Sequence, residues 1–347
     1  MASKPPPPIA IIGTGFRLPG GLSNPSKLWE ALLNPPDLVK EVPPDRFRWE
    51  GVYRQDGRHN GIKTKSAYWL DENIRQFDPQ FFGISPLEAE SMDPQQRLLL
   101  ECVYEAMESA GLTLEGLRGS DTGVFVGQMF DDYHELAVSD PDSSSGRMLT
   151  TGTVRSITAN RVSHVFDLHG PSLCIDTACS SSMVAVHLAV ESLRRGESRT
   201  AFACGVNLTT APTVFKAGSR MGMFSPDGRS KMFDESADGY GRGEGIGVVC
   251  LKTLDRALED GDVVECVIRQ TGTNHDGHAR TLTAPSAKAQ AQLICKTYED
   301  AGLDLSESSS RPQYFEAHGM FFSFRQQNTY DFVKNSSLLS PSKLMNF

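Results

Sequence analysis

The sequence predicts an α/β fold, and three observations carry that prediction. Short apolar runs of strand character recur at residues 9–13, 122–127, 200–208 and 245–254. Between them stand segments with apolar residues at helical spacing, at 93–110, 156–166, 183–195 and 287–301. Glycines punctuate the joints, with Gly111 and Gly302 each stopping a helix. Alternation of strands and helices is the signature of an α/β architecture.

Each element follows from its residues. Residues 1–8 are a proline-rich lead, extended in character. The apolar strand at 9–13 runs into a loop of Gly and Pro, and Asn24-Pro25-Ser26 precedes a short helix over 27–33. Residues 34–66 show no periodicity and read as a long surface loop. Asp93-Pro94 opens the helix over 93–110, with Pro in the first turn. The helix at 156–166 leads through Asp167-Leu168-His169-Gly170 into an apolar strand that ends before Cys179. The strand at 245–254 closes a unit, residues 262–271 begin a fresh strand, and residues 314–317 read as another. No repeat of solenoid type is present.

With 347 residues the chain holds one large or two ordinary domains. The net charge of −9, with no Lys/Arg-rich run, argues against a nucleic-acid partner. No apolar stretch reaches the length of a membrane span, and the N-terminus lacks an apolar signal core. Seven cysteines are scattered without a CxxC pair, and Cys102, Cys174, Cys204, Cys250 and Cys266 sit in apolar surroundings. That pattern implies reduced thiols in a cytoplasmic protein, with neither a disulfide framework nor a zinc site.

Cys179 stands apart from the other six. An apolar run ends in Ala178-Cys179-Ser180-Ser181-Ser182, and a helical segment follows from Met183 to Arg195. Apolar residues at 184, 186, 188, 190 and 193 mark that segment as a buried helix. A cysteine at a strand-to-helix turn faces unpaired N–H groups and the positive end of the helix, both of which stabilise a thiolate. Small neighbours, Ala178 and Ser180, allow a sharp turn, the cysteine version of a nucleophile elbow. Ser181 and Ser182 are expected to cap the helix start, since no G-x-S-x-G surrounds them.

Other polar features yield to plainer readings. Gly13-Thr14-Gly15 follows a strand, but Leu18 breaks the G-x-G-x-x-G pattern of a dinucleotide site. The alternating glycines from Gly239 to Gly247 suit a close approach by another backbone or a bound group. His275 and His278 belong to a polar turn rather than a metal site, and His187 is a packed residue of the helix after Cys179.

The segment Asp176-Thr177-Ala178-Cys179-Ser180-Ser181-Ser182 resembles the active-site motif of the ketosynthase (beta-ketoacyl synthase) domain of polyketide synthases. The opening Ile9-Ala10-Ile11-Ile12-Gly13-Thr14-Gly15-Phe16-Arg17 is similar to the start of such a domain. So are Phe77-Asp78-Pro79-Gln80-Phe81-Phe82-Gly83, Met92-Asp93-Pro94-Gln95-Gln96-Arg97, Ile157-Thr158-Ala159-Asn160-Arg161 and Asp238-Gly239-Tyr240-Gly241-Arg242-Gly243-Glu244-Gly245. Phe315-Glu316-Ala317-His318-Gly319 looks like the start of the family's second active-site motif. The likeness spans residues 9–319 and is closest to fungal highly reducing iterative type I synthases, including those fused to peptide synthetases.

The resemblance implies a thiolase-like fold of two α/β halves in five layers (αβαβα). Residues 9–258 supply the first half complete, and 259–319 begin an incomplete second half. It implies a decarboxylative Claisen condensation, with Cys179 as the nucleophile that takes an acyl chain and whose backbone N–H joins the oxyanion hole. His318 matches the first of two histidines that stabilise the enolate formed when malonyl on a carrier protein loses carbon dioxide. The implied partners are an acyl carrier protein and a second copy of the chain. No cofactor or metal is implied beyond the phosphopantetheine arms that bring the substrates. Competing readings are a non-catalytic ketosynthase fragment or pseudoenzyme, and a fatty-acid-type condensing enzyme. The loop at 34–66 and the Asp93-Pro94-Gln95-Gln96-Arg97 segment favour the polyketide type over the latter.

After Gly319 the family pattern continues Thr-Gly-Thr, whereas this chain reads Met320-Phe321-Phe322-Ser323 and shows no recognisable motif over 320–347. That tail resembles translated noncoding sequence, as a retained intron or frameshift would give. The family's second histidine, in Lys-x-Asn-x-Gly-His, has no counterpart here. A half-built second sheet would leave open edges and apolar faces, so the chain as written is expected to fold poorly and not to condense.

Overall fold

The computed structural model describes residues 5–56, 61–139, 148–231, 234–279, 281–282 and 284–318. In chain order the elements begin with β1 (Ile9–Arg17), α1 (Pro25–Leu33), β2 (Lys40–Glu41), β3 (Ser66–Ala67), α2 (Pro86–Ser91), α3 (Pro94–Ser109) and α4 (Leu114–Leu117). There follow β4 (Gly123–Gln128), α5 (Asp132–Ser139), α6 (Leu149–Thr153), α7 (Arg155–Phe166), β5 (Ser172–Ile175) and α8 (Ser181–Arg195). The remainder are β6 (Ala201–Asn207), α9 (Thr213–Arg220), β7 (Gly245–Thr253), α10 (Leu254–Asp260), β8 (Cys266–Ile268) and α11 (Ala287–Asp300).

Six strands form one sheet in the order β5-β4-β6-β7-β1-β8. β4 is parallel to both β5 and β6, whereas β7 is antiparallel to β6 and β1, and β8 is antiparallel to β1. The chain steps outward from β4 to β5 through α7, then back across β4 to β6 through α8. Right-handed crossovers in opposite directions place α7 and α8 on opposite faces of the sheet. Strand alternation divides the core accordingly. Val124, Val126, Phe202 and Cys204 join Leu99, Val103 and Ala106 of α3 and Val162 of α7. Phe125, Ala201 and Ala203 face the other way, onto Ala185, Ala189 and Leu193 of α8.

Close packing explains the glycines of β1. A Cβ on Gly13 would lie 2.5 Å from the Ala106 carbonyl oxygen, and one on Gly15 would lie 2.9 Å from the Ala106 nitrogen. These glycines admit the backbone of α3, which is why no dinucleotide pattern is completed around them. Gly241 likewise lies against the Gly228 backbone, the close approach its sequence predicted.

Several elements differ from the sequence-based expectation. Residues 34–66 are more than a surface loop: Val42 and Ile62 are buried with Ala67, Trp69, Phe215 and Phe224 in a small separate core. There Trp69 stacks on Phe215 at 5.8 Å. Irregular chain built around an aromatic cluster leaves no periodicity to read. The strand expected over 262–271 shrinks to Cys266–Ile268 on the sheet edge, and Cys266 is exposed there. Residues 314–317 belong to no strand, since no neighbouring strand pairs with them among the described residues. α8 is buried on one face only, and that face carries smaller residues than expected: Ala185, Ala189, Val190, Ser192 and Leu193 are buried, whereas Val184, Val186 and Leu188 are half-buried. The sheet covers one side of α8. The segment after β8 meets its flank, where His187 hydrogen-bonds Thr271 and Arg194 hydrogen-bonds Gln270.

Candidate active site

Cys179 lies at the carboxyl end of β5, in the turn that leads into α8. The strand order reverses at β4, from which the chain goes first to β5 and then to β6. In open α/β sheets the crevice outside the strand ends at such a reversal is where ligands bind. The turn is sharp: Ala178 takes a left-handed conformation, φ 59°, unusual for a residue with a Cβ. The carboxylate of Asp176 accepts the Ala178 N–H at 3.0 Å and the Arg155 guanidinium at 2.6 Å. Arg155 also donates to the Met129 carbonyl at 3.0 Å, which ties the turn to the loop after β4.

The sheet makes room for this turn. A Cβ on Gly127 of β4 would meet the Ser181 carbonyl carbon at 2.5 Å, and one on Gly205 of β6 would meet the Ser182 Cβ at 2.8 Å. Two bare positions on adjacent strands thus let the start of α8 settle onto the sheet. Cys179 itself is exposed.

The serines act differently from the sequence reading. Ser180 is the N-cap of α8 and makes no side-chain capping hydrogen bond. Ser181 Oγ instead accepts the Thr177 N–H at 2.8 Å and donates to the Ala178 carbonyl at 2.6 Å, and Ser180 Oγ donates to the Thr177 carbonyl at 2.8 Å. The reason is local geometry: the left-handed Ala178 folds the preceding backbone under these hydroxyls, closer than the N–H groups of the helix. The N-cap of α8 thus leaves the first turn without a side-chain cap, two residues after the left-handed Ala178 and next to Cys179 in the chain.

The other cysteines divide by burial. Burial pushes the Cys102 and Cys204 thiols far up, Cys250 up to about 12 and Cys174 up to about 11. Cys174 lines a cleft of about 360 Å³ with Gln128, Arg155, Asn160 and Asp176, which adjoins the turn through Asp176. Gln128 is buried there, accepting from Thr158 at 2.7 Å and donating to the Phe130 carbonyl at 3.1 Å. Sequence inspection did not single out Gln128 or Arg155. Gly127 and Gly205 carried a signal, since glycine at a strand end marks a close approach, but not the identity of what approaches.

His318 is exposed in the segment after residue 313, and among the described residues no hydrogen bond joins it to Cys179. His275 Nδ1 accepts the Gly277 N–H at 2.9 Å, a polar turn. Among the described residues no group of three or more His, Cys, Asp and Glu is placed to hold a metal ion, and no helix is long and apolar enough to cross a membrane.

Residues 7–257 match the family described as Beta-ketoacyl synthase, N-terminal domain, and residues 265–321 match Beta-ketoacyl synthase, C-terminal domain. The chain belongs to the beta-ketoacyl synthase family of condensing enzymes. Its ketosynthase relatives are those of polyketide synthases. It is 55% identical over 314 residues to the polyketide synthase-nonribosomal peptide synthetase ffsA of Aspergillus flavipes, a match covering 90% of this chain and 8% of that protein. It is 54% identical over 313 residues to fusarielin synthase FSL1 of Gibberella zeae, covering 90% of this chain and 12% of that one. The chain therefore spans about a tenth of the length of these relatives.

Among solved structures, the oxazolomycin ketosynthase domain OzmH KS7 of Streptomyces albus superposes with a TM-score of 0.84 at 36% identity, covering 93% of this chain and 55% of that one. The ketosynthase from module 6 of the bacillaene synthase of Bacillus subtilis gives 0.84 at 34% identity, covering 95% and 54%. The thiolase-like α/β fold is that of these ketosynthases.

Proposed function

We propose that this chain is the ketosynthase part of a polyketide-assembly enzyme, with Cys179 as the residue that accepts the growing acyl chain. The observation that carries the reading is the turn itself: a cysteine held at the uncapped start of a helix, outside the carboxyl ends of the parallel strands. Attack of the Cys179 thiolate on a thioester forms one C–S bond as the other breaks and releases a thiolate of similar basicity, so loading is reversible and the acyl enzyme stays reactive. The backbone N–H of Cys179 is the donor for the acyl oxyanion. His318 is the donor that would steady the enolate left when a malonyl thioester loses carbon dioxide. The substrates arrive on the phosphopantetheine of an acyl carrier protein. β5, an edge strand with Leu173 46% exposed, is the surface through which two copies pair.

The domain division that fits this reading places the first ketosynthase half at 9–258 and the start of the second at 259–319, after a proline-rich lead. Residues 320–347 stand apart from it, which sequencing the transcript across the Gly319 codon tests. The 347 residues hold no Lys-x-Asn-x-Gly-His motif, so acyl loading is the half-reaction to assay. A second reading, a non-catalytic fragment, is favoured by the exposure of His318 and by the lack, among the described residues, of a hydrogen bond between it and Cys179.

One experiment separates the two. The chain is mixed with an acyl group borne on carrier-protein phosphopantetheine, and both proteins are weighed by mass spectrometry. Transfer of one acyl group to the chain, absent in Cys179→Ala, supports the condensing reading. No transfer to the folded chain supports the fragment.

A further inference from the structure

The turn that presents Cys179 is held from beneath by a single buried side chain. Residues 176–180 are all exposed, whereas Ser181 is 5% exposed. Its hydroxyl takes part in two hydrogen bonds of opposite sense, accepting from Thr177 N–H and donating to the Ala178 carbonyl. Together they close a ring around Ala178, whose left-handed backbone is unfavourable for any residue with a Cβ. Asp176 adds a third bond, to the Ala178 N–H, from the solvent side. A residue in a disfavoured conformation persists only where its surroundings over-determine it, and this ring is what does so.

We propose that Ser181 is the positioning residue for Cys179: its hydroxyl locks Ala178 left-handed and thereby fixes where the turn presents the Cys179 thiol. The inference rests on the reading of Cys179 as the nucleophile. A serine that capped the helix would compete with the thiolate for the same N–H groups. Turned toward Thr177 and Ala178, it caps none of them, and the Ser181 N–H goes to the Ala178 carbonyl at 3.1 Å. Without the hydroxyl, Ala178 relaxes toward φ below zero, the turn opens, and Cys179 is displaced from its place in the turn.

Alkylation of the full chain with iodoacetamide tests this, with each cysteine mapped by peptide mass spectrometry over neutral and mildly alkaline pH. The quantity read is the rate at Cys179 relative to exposed Cys295. Ser181→Ala is expected to lower that ratio about tenfold, because the thiol is no longer held in place. Ser181→Thr keeps a hydroxyl and is expected to keep the ratio. The pair Ala178→Gly with Ser181→Ala is expected to regain most of it, because glycine adopts the left-handed conformation without the ring.

A merely structural serine would not be rescued by that glycine. Buried Cys102, Cys204 and Cys250 report unfolding in the same maps. If Ser181→Ala unmasks them, the double variant decides: regained selectivity supports the proposal, and its absence overturns it. A ratio in Ser181→Ala within about twofold of the wild type also overturns it, since the presentation of Cys179 was then unchanged. Selective Cys179 alkylation without acyl loading would instead defeat the nucleophile reading and leave the ring intact.

Discussion

Replacing Gly127 with alanine acts on Cys179 through the sheet. The added Cβ would lie 2.5 Å from the Ser181 carbonyl carbon and 2.7 Å from the Ser182 Cα, where ordinary contact begins at 3.4 Å. The start of α8 must therefore retreat by about 1 Å, because the obstructing atoms are backbone and cannot rotate away as a side-chain tip would. Overpacking of this kind costs about 1–3 kcal/mol. Against a typical total of about 5–15 kcal/mol the fold survives. Function does not tolerate the same shift, since a nucleophile misplaced by about 1 Å loses on the order of 100-fold in rate. Acyl loading followed by mass spectrometry, beside a thermal melt, measures both. Gly13→Ala is the control: its Cβ meets the backbone of α3 at 2.5 Å, on the face of the sheet away from α8. The expected result is comparable destabilisation in both variants, with loading lost only in Gly127→Ala. Wild-type loading by Gly127→Ala, or equal loss in both variants, would refute the reasoning.

Two further outcomes follow from the buried polar groups. Glu244 binds Arg46 through both carboxylate oxygens, at 2.8 and 2.9 Å, and accepts the N–H groups of Leu70 and Thr209. Glu244→Gln takes away the buried carboxylate and leaves Arg46 only the more exposed Asp45, 2.6 Å from its Nη1, so it should cost about 1–3 kcal/mol in a denaturant melt; a loss of only a few tenths would contradict this. Asp93 is buried at the start of α3, and burial raises its carboxyl from 3.8 to about 6. Its folded value lies above its unfolded one, so folding takes up a proton in that window. The stability it contributes is complete below 3.8 and is lost as pH rises through about 6. Asp93→Asn, which keeps the capping oxygen for the Gln95 N–H, should therefore stabilise the chain above that window relative to below it. Urea melts on both sides that show the opposite ordering would exclude this account.

Much of the fold was legible because its signals are local. α3, α7, β6 and β7 carry their periodicity and stops in their own residues, and Cys179 is marked by small residues around it. What escaped depends on partners distant in sequence. Val42, Ile62 and Trp69 gather around Phe215 and Phe224, about 150 residues away, through irregular chain with no period to detect. Residues 314–317 have strand-forming character, but pairing needs a neighbour, and the described residues supply none. The role of Ser181 was misread because a hydroxyl at a helix start serves the cap or the turn according to the backbone before it, and Ala178 in a left-handed conformation is not announced by its side chain. His318 was singled out by its motif, but whether a motif residue meets Cys179 is a matter of tertiary packing that local sequence does not encode, and among the described residues no hydrogen bond joins the two.

If the turn before α8 sets reactivity, Cys179 is the most reactive of the seven thiols. Iodoacetamide labelling of the intact chain near neutral pH, with every cysteine mapped, tests it directly. The prediction is that Cys179 is labelled well ahead of exposed Cys266 and Cys295, while Cys102, Cys204 and Cys250 stay protected. Labelling of Cys179 no faster than Cys266 and Cys295, with the buried three still protected, would contradict it.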